Sequence, residues 1–110
     1  MAHLPARIRR LRERIASFDW ICSGTLHTRM KTCGKAMCRC AEDPDQRHGP
    51  YHEWSRRVDG RLVHTVLTPD LAEDVAEAIE RYRAVQALIH TWDHETARIL
   101  IARNQRNRRS

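Results

Sequence analysis

The sequence predicts an α+β protein with an N-terminal amphipathic helix, a small antiparallel sheet that includes a zinc-ribbon-like cysteine loop and a β-hairpin, and a long C-terminal helix. Apolar residues recur every three or four positions towards both ends of the chain, which is typical of amphipathic helices. Between these segments, residues of alternating polarity flank an Asp-Gly pair, which is typical of a hairpin. At 110 residues, the chain is expected to fold as a single domain over 1–110.

The first helix is predicted over residues 4–18. Its apolar stripe has spacings of four and three and consists of Leu4, Ile8, Leu11, Ile15 and Phe18. Arginines occupy much of the remaining circumference, at Arg7, Arg9, Arg10, Arg12 and Arg14. One face of this helix is therefore expected to pack against the chain, while the other carries positive charge.

Residues 21–67 are predicted to form the cysteine loop and a three-stranded sheet. Residues 21–31 contain β-branched residues and partial alternation, which favours a strand. Residues 41–50 are rich in Pro, Asp and Gly, so we expect a loop there.

The strongest local signal is the Asp59-Gly60 pair, which is the preferred chemistry of a two-residue hairpin turn. Such a turn pairs Val58 with Arg61 and Trp54 with Thr65. One face of the hairpin, expected to pack on a helix, then carries Trp54, Val58, Val63 and Leu67. The opposite, more polar face carries Tyr51, Glu53, Ser55, Arg57, Leu62 and His64.

The C-terminal helix is predicted over residues 69–103. Thr68 can cap it, Pro69 suits its first position, and acidic residues follow in its first turns. A four-three apolar repeat then runs through Leu71, Val75, Ala78, Tyr82, Val85, Ile89, Trp92, Thr96 and Ile99. Residues 104–110 form a basic tail of low complexity, which is expected to be disordered.

This C-terminal helix would be about 50 Å long and the first helix about 22 Å, so the first helix covers less than half of the apolar seam. Three arrangements could account for the remainder of the seam. The sheet could cover it, the helix could break near Thr91, or a second copy of the chain could cover it in a coiled-coil homodimer. A helical hairpin within one subunit and a homodimer both remain open.

Three cysteines lie close together, in the pattern Cys33-x4-Cys38-x-Cys40, and His48 follows shortly after them. Zinc takes four thiolate or imidazole ligands in a tetrahedron, so these four residues are predicted to bind one structural zinc ion. The alternatives for the fourth ligand are His52, His27 and Cys22. No helical His-Glu pair arranges an acid or base beside an open position, which favours a closed site. A redox switch and buried thiols without a metal are the competing interpretations.

The formal net charge of +6 favours an anionic partner such as nucleic acid. Its placement is informative, because residues 1–41 carry nine Lys or Arg against two acids. The residues predicted to contact nucleic acid are Arg10, Arg14, Lys31, Lys35, Arg39, Arg56, Arg57 and Arg61. No recognition-helix motif is visible in the sequence, so the prediction concerns phosphate contacts.

Other functional classes are less favoured. The sequence has no nucleotide-binding glycine loop and no nucleophile elbow, so an enzyme is not predicted, and a zinc or thiol enzyme is the minor alternative. A protein-interaction adaptor that acts through the long C-terminal helix is the second functional class. No apolar run approaches 20 residues and the N-terminal segment lacks the features of a secretory signal, so a cytoplasmic location without a membrane partner is expected.

The segments CGKAMCRC and RHGPYHEW, followed by a hairpin and by LTP at the start of a long helix, resemble a family of short bacterial proteins of unknown function. The resemblance covers about residues 22–90. The family motif falls on Cys33, Gly34, Lys35, Cys38, Cys40, His48, Gly49, Pro50 and Tyr51. Members often look like accessories of mobile elements, so the resemblance supports a metal site and a link to DNA. A recombinase, a transposase or a second copy of the chain is the expected partner if the protein is an adaptor. It implies no known activity.

Overall fold

The computed structural model describes residues 3–31 and 48–109, with the side chains of residues 30, 31, 48 and 49 excepted. The elements in chain order are α1 (Ala6–Ala16), β1 (Thr25–Lys31), β2 (His48–Val58), β3 (Arg61–Leu67) and α2 (Pro69–Arg109). The predicted α+β class is therefore confirmed, with a short N-terminal helix, a three-stranded antiparallel sheet and a long C-terminal helix. The zinc-ribbon-like loop lies outside the described residues.

The chain forms two compact units. The helical unit consists of Met1–Ile21 and Glu80–Ser110, and the sheet unit consists of Cys22–Ile79. Folding of the whole chain as a single domain stays a prediction.

The hairpin is built as its sequence predicts. The three strands are in the order β1-β2-β3, and β2 pairs with β3 in the register that places Val58 opposite Arg61 and Trp54 opposite Thr65. Asp59 and Gly60 both have positive φ, at 51° and 81°. This combination defines the type I′ turn, whose twist matches that of the strands it joins.

The first strand is shorter than predicted, because β1 begins at Thr25 and not at residue 21. The backbone leaves the ladder at Gly24, which has a φ of +118° that an L side chain rarely adopts. The carbonyl of Ser23 accepts a hydrogen bond from Nε1 of Trp54 at 2.9 Å. The N–H of Cys22 donates to the carbonyl of Ala78 at 3.2 Å. These bonds hold the segment against the Trp54 side chain and the start of α2, outside the strand ladder.

The first helix is also shorter than the predicted range 4–18. Pro5 stands at its N-cap, and its carbonyl accepts the first helical hydrogen bond from the N–H of Arg9. At the other end, the hydroxyl of Ser17 donates to the carbonyl of Arg14 at 2.6 Å, which satisfies one of the terminal carbonyls. Local hydrogen bonds therefore set both ends of α1.

The second helix is longer than predicted and extends to Arg109, through most of the segment 104–110 that was expected to be disordered. Residues 70–110 contain no Gly or Pro, and the arginines of the last turn interact favourably with the helix dipole. The helix does not break near Thr91, whose hydroxyl donates to the carbonyl of Ala87 one turn earlier. Its length is about 60 Å at 1.5 Å per residue.

Few apolar residues of the described ranges are buried. In the helical unit, Ile8 is 3% exposed and lines the same apolar recess as Trp92, Thr96 and Ile99, so α1 covers this part of the α2 seam within one subunit. Trp20, by contrast, is 80% exposed. Among the described residues of the sheet unit, the buried apolar residues are Ala72, Ala78 and Ile79. Within the described ranges, no helix has a stretch that is long and apolar enough to cross a membrane.

Candidate functional site

The predicted zinc ligands Cys33, Cys38 and Cys40 lie outside the residues that the structure describes. The strands on either side of them are described. The last residue of β1, Lys31, pairs with the first residue of β2, His48. This pairing brings together the two ends of the segment that carries the cysteines, and it places the backbone of His48 at the base of that segment.

The alternative fourth ligands lie further from this base. His27 and His52 are each four residues along their strands from Lys31 and His48, which is about 13 Å at 3.3 Å per residue. Nδ1 of His52 lies 3.0 Å from the hydroxyl of Thr28. Burial raises the pKa of the Cys22 thiol, and the charge of Arg56 offsets only part of this effect, so the thiolate of Cys22 is disfavoured.

Among the described residues, no group of three or more His, Cys, Asp or Glu side chains could hold a metal ion. A zinc site on this chain therefore requires the segment between β1 and β2. The prediction that the three cysteines and His48 bind zinc stays a prediction.

A polar cluster on the sheet centres on Glu53. Although it lies on the face that the sequence predicts to be polar, Glu53 is only 7% exposed. Its Oε1 accepts a hydrogen bond from Nη2 of Arg29 at 2.6 Å and lies 3.4 Å from Nδ1 of His64. The hydroxyl of Ser55 lies 2.7 Å from the same Nδ1. A buried carboxylate needs such partners, because burial without them costs several kcal/mol.

The cluster contains serine, histidine and glutamate, but its geometry is not that of a Ser-His-acid triad. In a triad, one imidazole nitrogen faces the nucleophile and the other faces the acid. Here Ser55 and Glu53 approach the same nitrogen of His64, so the ring cannot pass a proton between them through its two nitrogens. The arrangement links side chains of all three strands.

The positive charge of the chain is concentrated in the helical unit. This unit contains twelve arginines against five acidic residues, which gives +7, whereas the sheet unit contains eight basic residues against nine acidic ones, which gives −1. The two values add to the net charge of +6. The helical unit is thus the only strongly basic part of the molecule.

Four arginines of the helical unit differ in whether they form an ion pair. Arg7 and Arg98 both form ion pairs with the buried carboxylate of Glu95. The distance from Nη2 of Arg98 to Oε1 of Glu95 is 2.5 Å, and the distance from Nη1 of Arg7 to Oε2 is 3.8 Å. The hydrogen bond from Arg98 lowers the pKa of Glu95, burial opposes this shift, and the charges of Arg98 and Arg7 support it. All four arginines are exposed, but Arg10 and Arg14, which lie one turn apart on α1, form no ion pair with any residue in the described ranges.

The predicted basic residues of the hairpin are all exposed, but they do not form one surface. The guanidinium of Arg56 lies 5.0 Å from the ring centroid of Trp54, and Nη1 of Arg57 lies 3.5 Å from the carbonyl of Gly60. Arg56 and Arg57 are consecutive strand residues and point to opposite faces of the sheet; Arg61 shares the face of Arg56. Lys35, Arg39 and the side chain of Lys31 lie outside the described part of the chain.

Sequence reasoning did not identify the two buried carboxylates. Glu95 and Arg98 are three residues apart on one helix, and this spacing was a readable signal for a pair. Glu53 and Arg29 are 24 positions apart, and only the register of β1 against β2 brings them together. The burial of both carboxylates depends on tertiary packing and has no local signal in the sequence.

The model of a protein family described as a domain of unknown function, DUF6788, matches residues 1–77. The match includes α1, the three strands and the start of α2, together with the segment that carries the three cysteines. The predicted resemblance to an uncharacterised family is confirmed at this level. Comparisons with curated proteins and with solved structures gave no match.

Proposed function

The chain belongs to the DUF6788 family, a domain of unknown function, and we propose that it is a zinc-stabilised nucleic-acid-binding protein. DNA is the proposed partner, and accessory action beside a recombinase or transposase of a mobile element is the proposed setting. The observation that carries the proposal is the segregation of charge, with +7 on the helical unit and −1 on the sheet unit.

The exposed arginines of α1 support this function more directly than the net charge does. An arginine that already binds a carboxylate has little free energy to gain from a phosphate, and Arg7 and Arg98 are in this state. Arg10 and Arg14 have no such partner among the described residues, and a guanidinium can contact phosphate oxygens through two parallel hydrogen bonds. We therefore assign the primary phosphate contacts to α1 and secondary contacts to Arg56, Arg57 and Arg61.

The zinc part of the proposal rests on the ends of the cysteine segment. Because Lys31 pairs with His48, the two ends of the cysteine segment lie side by side, and a metal bound by that segment would be joined to the sheet through His48. Cys33, Cys38 and Cys40 complete the proposed ligand set. Such a site would present Lys31, Lys35 and Arg39 beside the sheet, where they could contact an anionic partner.

The metal is tested by elemental analysis of the purified chain. About one zinc ion per chain is expected, together with a lower thermal midpoint after chelation. The triple variant Cys33→Ser, Cys38→Ser, Cys40→Ser should lose the metal, whereas Cys22→Ser should retain it. A metal-free chain whose stability is indifferent to chelator would remove zinc from the proposal.

Nucleic-acid binding is tested by fluorescence anisotropy with a labelled DNA duplex over a series of salt concentrations. The double variant Arg10→Gln, Arg14→Gln should make the slope of log Kobs against log salt shallower by about 2, because each phosphate contact contributes about 0.9. The control is Arg81→Gln, Arg83→Gln, which removes the same charge from the same unit, where Arg83 already pairs with Glu80. No binding at low salt would contradict the proposal, and equal effects of both doubles would contradict the assignment to α1.

A second candidate function is a protein-interaction adaptor that uses α2. It is favoured by apolar side chains that α2 exposes, with Ile89 at 51% and Ile101 at 58% exposed. Exposed apolar residues on a long helix are typical of surfaces that bind another helix. Two results together would support this function over the first. The chain would bind no DNA, and it would form a stable complex with another protein or with a second copy of itself that the variant Ile89→Lys does not form.

A further inference from the structure

Among the described residues, β3 lies at an edge of the sheet. The strand order is β1-β2-β3, so within the described ranges β3 pairs with β2 alone. Of its seven residues, the first six are exposed, and they include Leu62 at 53% and Val66 at 59%. An exposed strand edge presents unpaired N–H and C=O groups and can accept another strand.

The hydrogen-bonding pattern of the hairpin identifies the residues that face this edge. In the two-residue turn, the N–H of Arg61 bonds to the carbonyl of Val58, and bonded pairs alternate with non-bonded pairs beyond it. Arg61, Val63 and Thr65 therefore direct their backbone groups towards β2. Leu62, His64 and Val66 direct theirs towards the open edge.

Proteins usually protect exposed edges with charged residues, prolines or bulges. The other edge strand, β1, has two of these features, because it carries Arg29 and Lys31 and its register shifts between them. β3 has a regular register along its whole length, contains no proline, and has Arg61 at its first position as its only permanently charged residue. The β3 edge is thus built for pairing, in contrast to the β1 edge.

We propose that the β3 edge binds the β3 edge of a second copy of this chain, in an antiparallel pair centred on His64. In this register His64 faces His64 of the partner subunit, and Leu62 faces Val66 of the partner subunit. All of these residues have backbone groups that point outward, so each pair can exchange two hydrogen bonds. The same register covers the exposed Leu62 and Val66 of both copies with each other.

The charges at the two ends of β3 favour this antiparallel arrangement. Arg61 begins the strand, and the acidic residue Asp70 lies in the first turn of α2, directly after its end. Antiparallel pairing brings the start of each strand to the end of the other, so Arg61 approaches the acidic first turn of the partner. A parallel pair would place the two arginines side by side. The inference goes beyond the proposed function, since it requires neither zinc nor DNA.

The proposal is tested by sedimentation velocity of the full chain as purified, without DNA. A mass of twice 12.9 kDa is expected. Val66→Lys should weaken the dimer by about tenfold or more, because the lysine occurs twice at the two-fold interface opposite an apolar residue. Leu62→Lys should have the same effect. Both side chains are exposed in the single chain, so the circular dichroism of each variant should match that of the unmodified protein.

The control Thr25→Lys adds the same charge at the opposite, β1 edge and should leave the dimer unchanged. The variant Ile89→Lys probes the alternative pairing through α2. A monomer at about 100 μM, or a dimer that Ile89→Lys dissociates and Val66→Lys does not, would overturn the proposal. A monomeric chain that still binds DNA would refute this inference and leave the proposed function standing.

Discussion

Substitution of Gly24 by alanine is expected to be among the most destabilising single changes in the sheet unit. An alanine Cβ at this position would lie 2.6 Å from the carbonyl oxygen of Ser55 and 2.6 Å from Nε1 of Trp54. Real Cβ atoms do not approach other heavy atoms this closely, so the backbone or the indole must move. Movement of the indole breaks its 2.9 Å hydrogen bond to Ser23.

The magnitude follows from two separate costs. The φ of +118° is unfavourable for an L residue, and such backbone strain costs about 1–3 kcal/mol. Overpacking against a β-strand costs about 1–3 kcal/mol more. We therefore expect the free energy of unfolding to fall by about 3 kcal/mol or more, which is a large part of the stability of a small protein.

The matched control is Gly60→Ala, because Gly60 also has a positive φ, at +81°, but a Cβ there meets no atom of the described chain within 4 Å. Only the backbone cost of about 1 kcal/mol is expected. The assay is urea unfolding followed by circular dichroism and tryptophan fluorescence. Equal losses for the two variants would refute the steric argument, and a neutral Gly24→Ala would refute the described path of the chain beside Trp54.

Two further predictions concern the helical unit. Ile8→Ala should lower the free energy of unfolding by about 2–3 kcal/mol in urea unfolding, because Ile8 is 3% exposed against the α2 seam; a loss below about 0.5 kcal/mol would show that α1 does not dock there. The pKa of Glu95 is lowered mainly by the hydrogen bond from Arg98, so its stabilising effect is present above the ordinary pKa of a glutamate and is lost as the pH falls through the lowered value. Glu95→Gln should therefore lower the thermal midpoint at pH 7 and have little effect at pH 2, and a variant that is equally destabilised at both values would contradict the ion-pair role.

The hairpin could be predicted to the residue because its determinants are local. The Asp59-Gly60 pair fixes the turn type, and the turn fixes the register of every pair up to Trp54 and Thr65. The start of β1 could not be predicted in this way. Its position depends on the conformation of Gly24 and on hydrogen bonds to Trp54 and Ala78, which are distant in sequence.

The helix boundaries show a similar limit. The apolar repeat predicted both helices, but the low-complexity composition of 104–110 suggested disorder, where the structure continues α2 to Arg109. The helix continues through this segment because it contains no Gly or Pro and because its arginines interact favourably with the helix dipole.

For the candidate site, the sequence predicted a basic surface, but it did not show that the positive charge is concentrated in the helical unit. That distribution depends on which segments pack together, and residues 80–110 join the N-terminal helix and not the adjacent strands. For the same reason, the two arginines that bind Glu95 could not be distinguished from Arg10 and Arg14, which form no ion pair among the described residues. The cysteine motif was the clearest chemical signal, and its role stays a prediction.

The positions of the three tryptophans make the two units separately observable. Trp54 is the only indole of the sheet unit, where its N–H is bonded to Ser23. Trp92 lines the apolar recess beside Ile8, and the largely exposed Trp20 also belongs to the helical unit. In variants that retain a single tryptophan, the fluorescence therefore reports on the unfolding of one unit at a time. If the two units unfold at the same denaturant concentration, the chain unfolds as one cooperative body. If they unfold at different concentrations, the units unfold separately.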